Sequence, residues 1–174
     1  KKQSEQAAKK IAKLKPDLIF TSQFLRAKET AQIVAEAVKG DMVEDERVNE
    51  YLIGPQYEEK TIMEFHDQWG DRVKRINEAP NGGETWLELR ARLFNFLHEV
   101  DAQHEGKTIV VVTHADPIYV LEWALSLQHE RTIPDMPYPK NGDPMEFAFP
   151  AKLFAPDGCS HEARGAAGAS PGFT

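Results

Sequence analysis

The sequence predicts an α/β layered fold built on a mostly parallel sheet, and three observations predict it. A short apolar run, Asp17-Leu18-Ile19-Phe20, lies between two segments of helical periodicity. A second run, Ile109-Val110-Val111-Val112, is apolar without alternation, as in a strand covered by helices on both faces. Helix patterns alternate with these strands, which argues for layers rather than a bundle or a sandwich. Ligands in such folds collect where strands end and helices begin.

The chain opens in a helical pattern, with Ala7, Ala8, Ile11 and Leu14 on one face and Pro16 as the stop. No capping residue precedes Lys1, so the helix start reads as cut off and the chain as a fragment. After the first strand, Thr21 and Ser22 are candidate N-caps for a helix lined by Ala27, Ala31, Val34 and Val38 and stopped at Gly40. Met42 to Gly54 is mixed, a short strand and then a loop. Residues 58 to 78 form a charged helical pattern whose apolar side is Ile62, Phe65, Trp69, Val73 and Ile76, interrupted by Gly70.

Pro80-Asn81-Gly82-Gly83 breaks the chain. Trp86, Leu89, Leu93, Phe96, Leu97 and Val100 then give the cleanest amphipathic stripe, ending near Gly106. The second strand follows. Asp116 fits as an N-cap and Pro117 as the first residue of a helix running roughly to Leu127. Seven of the eleven prolines lie from Pro134 onward, and Met145 to Phe149 reads as an edge strand paired with Ala151 to Phe154. The expected organisation is a domain over 1–130, a Pro-rich segment with an edge hairpin over 131–158, and a disordered tail over 159–174.

Composition narrows the partners. The 174 residues suit a globular domain, and 28 Asp+Glu against 21 Lys+Arg give a net charge of −7. An acidic surface repels phosphate backbones, so no nucleic-acid partner is expected. No apolar run approaches the ~20 residues of a membrane span, so no membrane partner is expected either. One cysteine, Cys159, cannot form an internal disulfide and favours a reducing, cytoplasmic setting.

The first junction reads Thr21-Ser22-Gln23-Phe24-Leu25-Arg26-Ala27. Arg26 falls in the first turn of a helix, where free N–H groups and a guanidinium fork together suit a phosphate or carboxylate. On position alone, a surface arginine paired with Glu29 or Asp17 is the simpler account. The second junction, Thr113-His114-Ala115-Asp116-Pro117, places His114 at the end of the most apolar strand, as a ligand-facing group or a structural histidine. Glu50 lies in a loop beside Glu44, Asp45 and Glu46, where a solvated face is the simplest account. Glu84 and Thr85 follow a glycine turn into a helix. His98 and Asp101 are neighbours on one helix, but no third ligand has suitable spacing, so no metal and no cofactor is expected. Lys60, Arg72, Lys74 and Arg75 could meet an anionic substrate at the pocket rim, but a solvated charged helix is the simpler account.

Taken in order, these pieces resemble the histidine phosphatase superfamily, also called the phosphoglycerate mutase-like family. Ser22-Gln23-Phe24-Leu25-Arg26-Ala27-x-x-Thr30-Ala31 is similar to its serine–proline–leucine–x–arginine–alanine block, with Gln23 in place of proline. Val48-Asn49-Glu50 resembles its leucine–x–glutamate block, Gly83-Glu84-Thr85 its glycine–glutamate–serine step, and Val111-Val112-Thr113-His114 its strand ending in the second active-site histidine, with Ala115 where glycine is common. The resemblance covers residues 1 to 128.

The resemblance implies a three-layer α/β/α fold and a metal-free phosphomonoesterase that works through a phosphohistidine. Arg26, His114 and Ala115 would bind the phosphoryl group, with His114 as a cation. Glu50 would serve as general acid, and Ser22, Glu84 and Thr85 would support the site. The family's opening strand ends in arginine–histidine–glycine, whose histidine is the nucleophile; no Arg-His-Gly occurs in this sequence. Neither His66 nor His161 follows a strand in a way that would replace it. The chain is therefore expected to be N-terminally truncated and without turnover by itself. The alternative is a noncatalytic phosphatase-like domain that binds phosphate or a protein partner. The implied partner is a phosphorylated small molecule or a phosphoprotein.

Overall fold

The computed structural model describes residues 2–126 and 130–147. Its elements, in order, are α1 (Lys2–Ile11), β1 (Leu18–Thr21), α2 (Leu25–Val38), β2 (Met42–Glu44), α3 (Ile62–Trp69), α4 (Lys74–Asn77), α5 (Trp86–Gln103), β3 (Ile109–Val112) and α6 (Ala115–Leu125), with 3-10 turns between several of them. The sheet order is β2-β1-β3, and both pairings are parallel. Phe20 sits opposite Val43 on one side and Val111 on the other.

Strand periodicity divides the sheet into two faces. Ile19, Val110 and Val112 pack with Ala7, Ala8, Ile11, Ala31 and Val34 of α1 and α2. Leu18, Phe20, Ile109 and Val111 pack on the other side with Leu89, Leu93, Phe96 and Val100 of α5 and with Val120 of α6. Small residues on α1 and α2 let those helices lie close to the sheet and to each other. The opposite layer holds the large side chains, including Trp86, Leu89 and Tyr119, each fully buried. Each fully buried large apolar side chain is worth roughly 1.5–3 kcal/mol, so this layer supplies most of the hydrophobic drive.

Both faces of the sheet are thus covered, as the apolar runs predict. The expectation that β3 is deeply buried needs correction, since all four of its residues are only partly buried. β3 pairs with β1 alone among the described residues, so one edge is left open.

Other differences have local causes. The single helix expected over 58–78 is two, α3 and α4, separated at Gly70-Asp71, and Ile62 is exposed. The N-cap of α2 is Phe24 rather than Thr21 or Ser22; Ser22 Oγ instead accepts from the Phe24 N–H at 3.2 Å. The N-cap of α6 is His114, two residues earlier than predicted, which places Asp116 and Pro117 inside the first turn. Met145 to Phe147 form no strand, α6 ends at Leu125 rather than near Leu127, and the rest of the expected hairpin and the tail lie outside the described residues.

Candidate active site

The carboxyl ends of β1 and β3 lie side by side, joined beyond the strands by the Ser22 N–H donating to the Val112 carbonyl at 3.0 Å. Ser22 and His114 therefore leave the sheet at the same edge. Their side chains meet, with His114 Nε2 and Ser22 Oγ 2.7 Å apart. Arg26, in the first turn of α2, reaches across and donates from Nε to His114 Nδ1 at 3.1 Å. Phe24 packs edge-on to the His114 ring, and the Arg26 guanidinium lies over the Phe24 ring at 5.0 Å.

The donors assign the imidazole tautomer. Nδ1 accepts the hydrogen bond from Arg26 Nε–H, so it carries no proton, and Nε2–H donates to Ser22 Oγ. Ser22 in turn donates to Asn49 Oδ1 at 2.9 Å, which also accepts from the Gln23 N–H at 2.8 Å. His114 is a neutral base in this arrangement. Burial, then the cations Arg26 and Arg92, hold its pKa down at about 4. Burial first, and the Arg26 guanidinium beside Nδ1 second, favour the neutral ring over the cation that the resemblance implies for phosphate binding.

Glu50 closes the third side. Its Oε2 lies 3.6 Å from Arg26 Nη2 and 3.7 Å from His114 Nδ1. Its Oε1 accepts from the Tyr51 N–H at 3.1 Å. It does not lie on a solvated face: burial first, and the nearby Asp116 carboxylate second, raise its pKa to about 7, against the Tyr51 and Asp116 backbone donors and Arg26. Two groups in one cleft are thereby pushed in opposite directions, an acid upward and a base downward. Asp116 itself is raised by burial, partly offset by Arg75 and by the hydroxyl of Tyr138, which donates to Asp116 Oδ1 at 2.9 Å.

Arg26, Glu50, His114 and Ser22 thus converge, and Ala115 begins α6 beside them. Glu84 and Thr85 do not join this cluster. Thr85 caps α5 in a reciprocal box with Glu88. Glu84 is buried and grips Arg92, with Nη2 at 2.7 Å and Nε at 3.0 Å. The same guanidinium donates to the carbonyls of Arg47 at 2.7 Å, Asn49 at 2.9 Å and Glu50 at 3.0 Å. Glu84 Oε1 also accepts from the Leu52 N–H at 3.0 Å. Gly83 permits this approach, since a Cβ there would lie 2.5 Å from the Leu52 carbonyl oxygen. The loop that carries Glu50 is therefore held by α5.

Asn49 and Arg92 are the residues that sequence reasoning missed. Arg92 did leave a signal, for it stands three residues after Leu89 within the stripe Leu89-Leu93-Phe96, where a charge demands a buried partner. Asn49 left none beyond its place beside Glu50. Arg75, read as solvated, is 3% exposed and lies over the Phe65 ring at 4.8 Å. Among the described residues, no group of three or more His, Cys, Asp or Glu side chains is placed to hold a metal ion, and no helix is long and apolar enough to cross a membrane.

Known proteins share this arrangement of sequence and fold. The family described as the histidine phosphatase superfamily (branch 1) matches residues 1–144. Phosphoserine phosphatase 1 of Hydrogenobacter thermophilus is 28% identical over 130 residues, covering 72% of this chain and 61% of the relative. The 2,3-bisphosphoglycerate-dependent phosphoglycerate mutase of Thermoplasma acidophilum is 28% identical over 132 residues, covering 75% and 64%. The chain therefore spans less than two thirds of the length of these curated relatives. Among solved structures, Bacillus stearothermophilus YhfR superposes with a TM-score of 0.67 at 26% identity, over 78% of this chain and 69% of that one. A mycobacterial glucosyl-3-phosphoglycerate phosphatase superposes with a TM-score of 0.70 at 24% identity, over 81% and 73%, and this likeness shows the fold.

Proposed function

The chain belongs to the histidine phosphatase superfamily, and from that premise we propose that its cleft is the phosphoryl-binding half of a phosphomonoesterase that works through a phosphohistidine. One observation carries the reading: Arg26, Glu50 and His114, from three separate elements, stand within 3.7 Å of one another at the carboxyl edge of a parallel sheet.

Arg26 and His114 hold the phosphoryl oxygens and offset the charge that builds in the transition state. An incoming dianion draws the Arg26 guanidinium off His114 Nδ1 and favours a proton there, so the ring becomes the cation that phosphate binding needs. A neutral histidine attacks phosphorus while the P–O bond to the alcohol breaks, and Glu50 gives its proton to the departing oxygen. Water then attacks the phosphohistidine, Glu50 takes the water's proton, and phosphate leaves. A carboxyl with pKa about 7 serves both steps at neutral pH. The Arg-His-Gly that would supply the nucleophile does not occur in this sequence, so the chain by itself binds phosphate without turning substrate over. The substrates are phosphorylated small molecules, in keeping with relatives described as phosphoserine phosphatase and phosphoglycerate mutase.

Calorimetric titration with inorganic phosphate tests the cleft. Saturable binding weakened tenfold or more by Arg26→Ala is expected, since a charge-assisted hydrogen bond is worth about 1.5–3 kcal/mol. Binding unchanged in that variant overturns the phosphoryl site. Hydrolysis of p-nitrophenyl phosphate by the chain, abolished by His114→Ala, overturns the absence of a nucleophile.

A further inference from the structure

Asn49 is held at both its side chain and its backbone. Its Oδ1 accepts from the Gln23 N–H at 2.8 Å and from Ser22 Oγ at 2.9 Å, and its Nδ2 donates to Gln23 Oε1 at 3.3 Å. A backbone N–H can only donate, so the atom facing the Gln23 nitrogen is the amide oxygen, and the orientation of the amide follows. The Asn49 carbonyl accepts from Arg92 at 2.9 Å, which fixes the backbone as well. The amide oxygen therefore meets Ser22 in one way only.

That oxygen decides where the Ser22 proton goes. Ser22 is fully buried, and its Oγ meets Asn49 Oδ1, the Phe24 N–H at 3.2 Å and His114 Nε2 at 2.7 Å. A hydroxyl has one proton to donate. Were it spent on His114, two acceptor oxygens would face each other at 2.9 Å across Ser22 and Asn49. The proton therefore goes to Asn49, and the hydroxyl oxygen is left as an acceptor toward the ring. His114 Nε2 must then carry a hydrogen of its own. Arg26 favours the same tautomer from the opposite end, but its side chain is exposed and can satisfy its N–H groups in water. A buried hydroxyl without an acceptor has no such escape, so the Asn49 end is the stiffer of the two.

We propose that Asn49 is a positioning residue which, through the Ser22 hydroxyl, keeps a proton on His114 Nε2 and so reserves Nδ1 for the phosphoryl group. The inference rests on the phosphoryl reading of the cleft. Nδ1 is the nitrogen that faces Arg26 at 3.1 Å and Glu50 at 3.7 Å, so it is the one an anion in the cleft meets. With Nε2 already protonated, the proton taken up as an anion binds can go to Nδ1 only. The resulting cation has both N–H groups satisfied, one on the anion and one on Ser22. Without the Asn49 carbonyl, Ser22 turns its proton to the ring and Nε2 becomes an acceptor. Protonating that ring then sets two donors against each other, so the cation is harder to form.

Long-range proton–nitrogen NMR of the whole chain, labelled at histidine, reads which ring nitrogen carries the proton; the His114 signal is the one lost in His114→Asn. In the parent at neutral pH, without phosphate, the proton is expected on Nε2. Asn49→Leu keeps the shape of the side chain but removes the carbonyl, and should move the proton to Nδ1. It should also weaken the binding of inorganic phosphate, read by calorimetry, by about tenfold or more, since the contact it impairs is charge-assisted. Asn49→Asp restores an acceptor and should return the proton to Nε2, with the His114 titration moved upward by the added negative charge. That variant decides the matter if Asn49→Leu does not fold, and a titration unmoved in it overturns the proposal. A proton that stays on Nε2 in Asn49→Leu, or that sits on Nδ1 in the parent, overturns it too. Weaker phosphate binding with an unchanged ring would mean that Asn49 shapes the loop alone. No phosphate binding in the parent overturns the phosphoryl reading instead; the ring signals, read without phosphate, still judge the hold of Asn49 on His114.

Discussion

Arg26 Nε donates to His114 Nδ1 at 3.1 Å, joining residues that lie 88 positions apart in the chain. This bond sets the state of the cleft before any ligand arrives. Together with burial, the larger cause, it keeps the imidazole neutral; it also fixes the other ring nitrogen as the donor to Ser22 and holds the arginine fork where an anion would meet it. The pair is preorganised for an oxyanion, with one strong donor ready and one base able to accept a proton.

Removing the arginine should therefore free the base. In Arg26→Ala the His114 pKa is expected to rise from about 4 toward the ordinary 6.5, stopping short because burial, the larger cause, remains. An NMR titration of the ring carbon protons reads this directly. A His114 pKa that stays at about 4 in the variant would show that the two side chains do not meet in solution.

Glu50 and His114 should tilt stability in opposite directions with pH. Glu50 is raised from 4.5 to about 7, so its contribution is full below pH 4.5 and is lost as pH rises through 7. His114 is lowered from 6.5 to about 4, so its contribution is full above pH 6.5 and is lost as pH falls through 4. Between pH 4.5 and 6.5 the two slopes oppose each other. Urea unfolding across that window should show stability climbing more steeply with pH in Glu50→Gln than in the parent, and falling with pH in His114→Asn. Identical slopes in parent and variants would refute the assigned shifts.

Thr85 and Thr61 offer a test independent of function. Each caps a helix in a reciprocal box, with Glu88 and Glu64 respectively. Thr85→Ala should cost about 0.5–2 kcal/mol, because α5 carries Leu89, Leu93 and Phe96 into the main core. Thr61→Ala should cost less. α3 buries Phe65 alone and presents Ile62 and Met63 to solvent, so fraying its first turn disturbs little. Thermal unfolding of both variants gives the comparison, and an equal loss would contradict it.

Much of this was legible in the sequence because the signals were local. The apolar runs at Leu18 and Ile109 found the parallel strands, and strand-to-helix junctions found Arg26 and His114. What escaped depended on contacts across the fold. Glu50 sits among acids in sequence but beneath Asp116 and beside Arg26 in space, so composition pointed to solvent and packing decided otherwise. The helix over 58–78 broke because Gly70-Asp71 offered an exit that the apolar periodicity alone does not weigh. Arg75 read as solvated because nothing in the chain announces that Phe65, Tyr51 and Trp86 will close around it. The β3 run predicted a fully covered strand, and its faces are covered; its open edge depends on neighbours, which a four-residue pattern does not encode.

The Glu84–Arg92 pair ties the Glu50 loop to α5 at four points, the carbonyls of Arg47, Asn49 and Glu50 on Arg92 and the Leu52 N–H on Glu84. Arg92 satisfies both oxygens of a buried carboxylate and three backbone carbonyls at once. Truncating it leaves Glu84 charged and buried, and strands the carbonyls of Arg47, Asn49 and Glu50. Arg92→Met should therefore destabilise the chain by about 3–5 kcal/mol, the usual cost of breaking a buried pair from one side. Glu84→Gln should cost less, because its amide oxygen can still accept from Arg92 or Leu52. The double variant Glu84→Gln/Arg92→Met should be less destabilised than the sum of the two, because no buried charge is left unpaired. A double-mutant cycle in urea measures the coupling, and strict additivity would mean that the pair does not act as one clamp. The same clamp positions Glu50, so in Glu84→Gln the Glu50 titration should shift from about 7 as its loop loosens and solvent reaches the carboxyl. A downward shift is expected, since solvation relieves the burial that raises it.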